Sequence, residues 1–174
     1  SKIKNVDQII ENISNLKNPK GRFDLINFKT NKIIVDYAHT PESISQVIKY
    51  VNPYFSEVVV LFGAGGNRDK EKRKLMGTAS QLADSVIITN DNPRNEDPIQ
   101  ISNDILKGCD LSKTTVILDR KEAITSAINE LKENSVLLVL GKGHEMYQEI
   151  NNSHIPFNDN DFINETIGGL IWLQ

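Results

Sequence analysis

The sequence predicts a doubly wound, Rossmann-like α/β domain, with a mostly parallel sheet of about six strands, helices on both faces and an added β-hairpin. Short β-rich runs alternate with longer segments of helical periodicity. Some of these runs, such as 136–140, are apolar throughout, which is typical of strands buried on both faces of a parallel sheet. Polar, glycine-rich stretches follow the runs, as expected of the loops that bind ligands in such folds.

The elements follow in order along the chain. Apolar residues at helical spacing between 6 and 16 predict an amphipathic helix, which Asn18-Pro19-Lys20-Gly21 ends. A hairpin-like pair of strands comes next, at 23–28 and 32–37. Further strands are predicted at 58–62, 86–89, 115–118 and 136–140, and the helices between them at 41–51, 70–82, 98–107 and 121–132. A second hairpin, 146–150 with 154–157, and a closing helix at 161–173 complete the domain.

Composition excludes several classes of protein. With 25% charged and 39% hydrophobic residues and a net charge of −3, the chain has the make-up of an ordinary globular domain. Its basic residues form no stripe, so we expect no nucleic-acid partner. No apolar run approaches the roughly 20 residues that cross a bilayer, so we expect no membrane partner. The single cysteine, Cys109, excludes an internal disulfide framework and favours a reducing cytoplasm, and no Cys/His spacing predicts a metal site.

The glycine-rich loop Gly63-Ala64-Gly65-Gly66-Asn67-Arg68-Asp69-Lys70 lies between a predicted strand and a predicted helix. It lacks the third glycine of a dinucleotide fingerprint, whose place Arg68 takes, and the chain has no phosphate-binding Gly-x-x-x-x-Gly-Lys-Ser/Thr motif. A tight strand-to-helix turn would explain the glycines alone. Arg68 beside a helix N-terminus favours a carboxylate or phosphate site.

Asp91-Asn92-Pro93-Arg94 is the sharpest local signal. Pro93 stiffens the loop and restricts Asn92. Arg94 offers a bidentate fork for a carboxylate, Asn92 a donor and an acceptor, and Asp91 an anion for an ammonium group. A helix N-cap at Asp97 explains the residues that follow but leaves Asn92 and Arg94 unexplained.

Two further loops add candidates. In Gly141-Lys142-Gly143-His144-Glu145 the glycines permit close approach of a ligand, and Glu145 could hold an ammonium group. His144 is more simply a packing residue. Arg22, Asp36 and His39 are ambiguous, because a surface ion pair and a capping histidine would explain them without function.

Taken together, these loops resemble the C-terminal domain of the Mur ligases, in the type that joins diaminopimelate to UDP-N-acetylmuramoyl-L-alanyl-D-glutamate. The resemblance covers nearly the whole chain. It runs, in order, through Gly-Arg-Phe-Asp at 21–24, Asp-Tyr-Ala-His-Thr-Pro at 36–41, the glycine-rich loop, Asp-Asn-Pro-Arg at 91–94 with Glu-Asp-Pro at 96–98, Asp-Arg at 119–120, and Gly-Lys-Gly-His-Glu at 141–145 with Tyr147-Gln148.

The resemblance implies a domain that binds the incoming amino acid of an ATP-dependent carboxylate-amine ligase. ATP would phosphorylate the D-glutamate side chain, and the amine would displace phosphate through a tetrahedral intermediate. The family pattern assigns meso-diaminopimelate binding to residues 91–94, that is Asp91, Asn92, Pro93 and Arg94, assisted by Arg68, Gly141 and Glu145. A diamino diacid such as lanthionine presents the same groups at similar spacing.

The same resemblance places Arg22, Asp36 and His39 on the nucleotide side. ATP and Mg²⁺ would be bound mainly by a central domain, and the UDP-sugar by an N-terminal domain, neither of which this chain contains. Residues 1–20 would be the end of that central domain and its hinge, and 21–174 the C-terminal domain. No catalytic residue is expected within this chain, which would not turn over by itself.

Two alternatives remain open at this point. A folate or cyanophycin type of ligase domain would take another amino substrate, and the Asp-Asn-Pro-Arg loop argues against it. A non-catalytic nucleotide-binding α/β module would not need two arginines and a glutamate at one edge of its sheet.

Overall fold

The computed structural model describes residues 20–172, and the side chains as far as residue 170. The helix predicted between residues 6 and 16 lies outside the described part. The described chain forms β1 (Asp24–Phe28), β2 (Asn31–Asp36), α1 (Pro41–Val51), a 3-10 turn (Asn52–Tyr54), β3 (Glu57–Phe62), α2 (Glu71–Ser80), β4 (Ser85–Ile88), α3 (Pro98–Leu106), β5 (Thr114–Val116), α4 (Arg120–Glu130), β6 (Ser135–Leu140), β7 (Tyr147–Ile150), β8 (Ser153–Pro156) and α5 (Asp159–Trp172).

The six-stranded sheet has the order β1-β2-β6-β3-β4-β5, and β7 and β8 form a separate antiparallel hairpin. Strand β1 runs antiparallel to β2, whereas β2, β6, β3, β4 and β5 are parallel. The predicted fold class, including the added hairpin, is therefore confirmed. The carboxyl ends of five strands meet at one edge, as the argument from the loops required.

Two apolar cores lie on opposite faces of the sheet. On one face the sheet packs against α1, α2 and α3 through residues such as Ile44, Met76 and Ile105. On the other face it packs against α4 and α5 through residues such as Ile124 and Ile163. Because β6 is covered on both faces, all six of its residues are buried.

Local sequence explains where the helices begin. Thr40 caps α1 in a reciprocal capping box with Ser43. The Asp97 side chain accepts from the backbone N–H of Ile99 at the start of α3, with Pro98 in the first turn, which confirms the predicted cap.

Strand β5 differs from its prediction. It spans Thr114–Val116 rather than 115–118. It lies at the edge of the sheet, where Val116 is 39% exposed.

A buried ion pair fixes the edge where the carboxyl ends meet. Arg120, at the start of α4, lies 2.8 Å from Asp159 at the start of α5, and both side chains are inaccessible to solvent. Arg120 also donates to the carbonyls of Leu140 and Asn90, at the ends of β6 and β4. The ion pair thus joins two helices to two of the strand ends from which the polar loops leave.

Candidate functional site

A cleft of about 390 Å³ opens at the carboxyl ends of β2, β3, β4 and β6. It lies where the chain leaves neighbouring strands β3 and β6 toward opposite faces, which is the switch point of a doubly wound sheet. All the predicted substrate-binding residues except Pro93 line the cleft; they are Arg68, Asp91, Asn92, Arg94, Gly141 and Glu145. His39, predicted on the nucleotide side, also lines it.

Asn92 and Glu145 are joined by the ammonium group of Lys142. Lys142 is fully buried and donates to Asn92 Oδ1 at 3.0 Å, to Glu145 Oε2 at 2.8 Å and to the Tyr147 carbonyl at 2.7 Å. Asn92 Nδ2 donates to the same Glu145 oxygen at 2.8 Å. Burial acts to raise the pKa of Glu145, but the hydrogen bonds from Lys142 and Asn92 outweigh it and hold that pKa below its ordinary value. Glu145 is therefore held as a carboxylate.

Arg94 is fixed by the hairpin. Its backbone N–H donates to the Glu149 carbonyl at 2.9 Å, and its own carbonyl accepts from Asn151 at 2.8 Å. The guanidinium Nε lies 2.8 Å from Glu149 Oε2, and Nη1 donates to the Gly66 carbonyl at 2.9 Å. With φ at 53°, Arg94 has a left-handed backbone that this environment must stabilise. The side chain thus has one orientation, between the hairpin and the glycine-rich loop.

Asp91 is a buried carboxylate on the wall of the cleft. Burial raises its pKa above the ordinary value, against the opposing influence of nearby Arg120 and Lys142. Within residues 20–172 no hydrogen bond to its carboxylate is made. Gly141 lies against it, since a Cβ built at Gly141 would come 2.6 Å from Asp91 Oδ2, and the φ of Gly141 is +108°. Glycine is required here for both reasons.

Arg68 is at the exposed tip of the glycine-rich loop. The glycine-rich loop is bonded to the Asp-Asn-Pro-Arg loop, because the Gly66 N–H donates to the Asn92 carbonyl at 2.9 Å. Arg68 and Arg94 therefore project from two neighbouring loops that contact each other. The sequence had placed both arginines at this edge, and the structure brings them to one cleft.

The predicted nucleotide-side residues form a second group beside the cleft. The Arg22 guanidinium lies over the Tyr37 ring at 4.7 Å, and that ring contacts His39 and His144 at centroid distances of 4.6 and 5.3 Å. The two Asp36 oxygens accept from the backbone N–H groups of Phe23 and Ala38, each at 2.8 Å. Asp36 therefore fixes the backbone that follows β2 against the segment before β1. Of the three predicted nucleotide-side residues, His39 lines the cleft.

Sequence reasoning missed four residues that organise the cleft: Lys142, Glu149, Arg73 and Glu96. Lys142 belongs to the Gly-Lys-Gly-His-Glu motif, and its position between two glycines after a buried strand was a usable signal. For Glu149 no signal existed, because its contact with Arg94 depends on how the hairpin docks.

Among residues 20–172, no group of three or more His, Cys, Asp or Glu side chains is arranged to hold a metal ion. Nor does any helix in that part of the chain have the length and apolar character needed to cross a membrane.

Fold and cleft together define a doubly wound α/β domain with an open ligand cleft at its switch point, lined by arginines and carboxylates. The chain belongs to the Mur ligase family, since residues 21–143 match the family model described as "Mur ligase, glutamate ligase domain".

Similar proteins agree with this assignment. The chain is 45% identical over 165 residues to the UDP-N-acetylmuramoyl-L-alanyl-D-glutamate–2,6-diaminopimelate ligase of Rickettsia montanensis, which covers 92% of this chain and 34% of that protein. A solved structure of a ligase with the same name superposes with a TM-score of 0.84 at 36% identity, covering 94% of this chain and 34% of the other. A folylpolyglutamate synthase from Thermotoga maritima superposes with a TM-score of 0.55 at 24% identity over 79% of this chain and 31% of its own, which is a likeness of fold. The chain spans about a third of the length of the curated relatives it matches.

Proposed function

We propose that this chain is the C-terminal, amino-acid-binding domain, residues 21–174, of a cytoplasmic ATP-dependent ligase that adds meso-diaminopimelate to UDP-N-acetylmuramoyl-L-alanyl-D-glutamate. Residues 1–20 would form the end of the preceding domain and the hinge. The observation that supports this best is the cleft itself, in which two guanidinium groups (Arg68 and Arg94) and two carboxylates (Asp91 and Glu145) lie on three loops at one edge of the sheet.

The charges of the cleft suit a zwitterion with two carboxylates and two ammonium groups. Arg68 is exposed at the loop tip, and Arg94 keeps guanidinium N–H groups beyond its contacts with Gly66 and Glu149. These two would bind the carboxylates. Asp91 and Glu145 would bind the ammonium groups, the latter with the help of the Gly141 carbonyl. Lysine lacks a second carboxylate and would leave one arginine without a partner.

Asn92 and Pro93 would act by shaping the loop. Asn92 Oδ1 accepts from Lys142 and from the Glu149 N–H, which leaves its amide nitrogen to donate to Glu145. Asn92 would therefore set the position of the carboxylate that faces the ammonium group. Pro93 would limit the backbone freedom of the segment that holds Arg94.

The amine would be delivered to an acyl phosphate formed elsewhere in the ligase. Arg22, Asp36 and His39 would reach the nucleotide across a domain interface, with Arg22 held over Tyr37. No group of three or more His, Cys, Asp or Glu side chains among the described residues is arranged to hold Mg²⁺. ATP and Mg²⁺ would be bound mainly by the part of the ligase that corresponds to the remaining two thirds of the relatives. The isolated chain would be inactive, because domain closure normally completes such a site.

An amide-resolved NMR titration of the chain with meso-diaminopimelate tests the proposal, with L-lysine as the matched ligand. Shifts in the loops of Arg68, Asn92, Arg94 and Glu145 with the diacid, and weaker ones with lysine, are expected. A titration with lanthionine, a thioether with the same two carboxylates and two ammonium groups, would show whether the site also discriminates the atom that joins the two amino-acid ends.

Two variants sharpen the test. Arg94→Lys keeps the charge but loses the fork, and should weaken diacid binding about tenfold, which is roughly 1.4 kcal/mol. Arg22→Lys, outside the cleft lining, should leave that binding unchanged. Equal responses to lysine and the diacid would refute the assigned specificity, and a response to ATP alone would favour a nucleotide-binding module. If the free chain responds to no ligand, the whole wild-type ligase is assayed, and a lack of diaminopimelate-dependent turnover there would refute the proposal.

A further inference from the structure

The two arginine-bearing loops are irregular, so strand pairing does not set the distance between Arg68 and Arg94. An ion pair between buried Arg73, which lines the cleft, and partly buried Glu96 connects them. Arg73, in the first turn of α2, is 1% exposed, and Glu96 follows the Asp-Asn-Pro-Arg motif. Neither residue was assigned a role by sequence or by the proposed function.

Arg73 contacts both loops and a helix. Its Nη1 donates to Glu96 Oε2 at 3.0 Å and to Asp104 Oδ2, on α3, at 3.2 Å. Its Nη2 donates to Glu96 Oε1 at 3.1 Å and to the Gly65 carbonyl at 3.3 Å. Glu96 is therefore held by a bidentate contact, which fixes orientation as well as distance.

Glu96 extends the connection to the tip of the glycine-rich loop. Its Oε1 also accepts from the backbone N–H of Asn67, the residue directly before Arg68. Asn67 has a left-handed backbone with φ at 53°, a conformation that is costly for a residue other than glycine and needs support from its surroundings. The Glu96 carboxylate supplies that support at the base of the Arg68 side chain.

Charge makes this connection rigid. The Glu96 side chain is 15% exposed, and Arg73 has two acidic neighbours in a part of the chain almost closed to solvent. Loss of the Glu96 charge would leave the buried guanidinium with Asp104 alone as an anionic partner among the described residues. The loops would then separate before the helices did, because the helices are held by the apolar core.

We infer that Arg73 and Glu96 are positioning residues that set the spacing between the guanidinium groups of Arg68 and Arg94, and hence the recognition of the second carboxylate of the diacid. The inference rests on the proposed function and deepens it. Neither residue needs to touch the ligand.

The test uses the whole ligase and compares Glu96→Gln and Arg73→Lys with Glu57→Gln. Glu57 is a matched control, because its side chain is also 15% exposed and is paired with a basic side chain, Lys132, but it begins β3 at the opposite edge of the sheet. Both loop variants should raise KM for diaminopimelate about tenfold, with kcat and the KM for ATP within about twofold of wild type, as expected for the loss of uniform binding. Glu57→Gln should change none of the three constants.

The Asn67 amide gives a second readout, independent of turnover. In Glu96→Gln its proton shift should move upfield as the charged acceptor is lost, while amides of β3 and β6 keep their shifts. An unchanged KM for the diacid in both variants, or equal losses in every constant, would overturn the positioning role while leaving the proposed function intact. A wild-type ligase that does not use diaminopimelate would overturn both.

Discussion

Replacement of Lys142 by methionine is the most informative single change in this domain. Methionine fills a similar volume, but it removes three hydrogen bonds of 2.7–3.0 Å, from Lys142 to Asn92, Glu145 and the Tyr147 carbonyl. Breaking one side of a buried ion pair costs about 3–5 kcal/mol. The remaining partner, Glu145, is 26% exposed and can recruit water, so the lower end, about 3 kcal/mol, applies.

Thermal unfolding followed by circular dichroism measures this effect. For a domain of this size a loss of about 3 kcal/mol corresponds to a fall in Tm of about 6–12 °C. Lys132→Met is the control, because Lys132 lies 2.7 Å from Glu57 but is 77% exposed, and its Tm should stay near that of wild type. A double variant, Lys142→Met with Glu145→Gln, should be more stable than the sum of the two single changes predicts, because no uncompensated carboxylate remains.

The same variant also separates stability from recognition. Without Lys142, Glu145 and Asn92 lose their common partner, so the response to diaminopimelate should fall even at temperatures where the variant is fully folded. If the Tm of Lys142→Met fell by less than about 2 °C, or no more than that of Lys132→Met, the buried network described for the cleft would be wrong.

Three further variants test other parts of the domain. Gly66→Ala would place a Cβ 1.9 Å from the Pro93 carbonyl oxygen, so the two loops must move apart. Differential scanning calorimetry should show that the free energy of unfolding falls by about 1–3 kcal/mol. Gly168→Ala, in α5 with nothing within 4 Å of the new Cβ, should instead raise the free energy of unfolding by about 0.5–1 kcal/mol. The Arg73 hydrogen bond is the main cause that lowers the pKa of Glu96 from 4.5 to about 2, so this carboxylate contributes stability that is complete above pH 4.5 and is lost as the pH falls toward 2. That contribution is at most about 3 kcal/mol, and urea unfolding of Glu96→Gln should be correspondingly less sensitive to pH in this range; parallel acid profiles for the two proteins would contradict the assignment.

The convergence of the loops could be predicted from sequence because it follows from topology. Once the runs at 58–62, 86–89 and 136–140 are taken as parallel strands, their following loops must share an edge, whatever the side chains do. The caps were equally accessible, since Asp97 and Pro98 act on neighbouring residues. Asp36 shows the limit: its bond to the Ala38 N–H is local, but its bond to the Phe23 N–H depends on how the segment before β1 approaches the end of β2.

What the sequence could not show is which charges in the cleft are already paired. The sequence offers Glu145 to an ammonium group and Arg94 to a carboxylate, yet the structure already pairs Glu145 with buried Lys142 and Arg94 with Glu149. Each pairing depends on the docking of a loop or hairpin, and such contacts leave no trace in local spacing. In each pair the opposite charges offset one another, but the side chains keep groups that can hydrogen-bond a ligand. Buried Asp91, whose carboxylate accepts no hydrogen bond from residues 20–172, and exposed Arg68 therefore stand out as charged groups of the cleft that the described residues leave without a hydrogen-bond partner. An amino acid bound between them would meet Arg94 and Glu145 in orientations already set by their internal partners, which reduces the ordering that binding itself must impose.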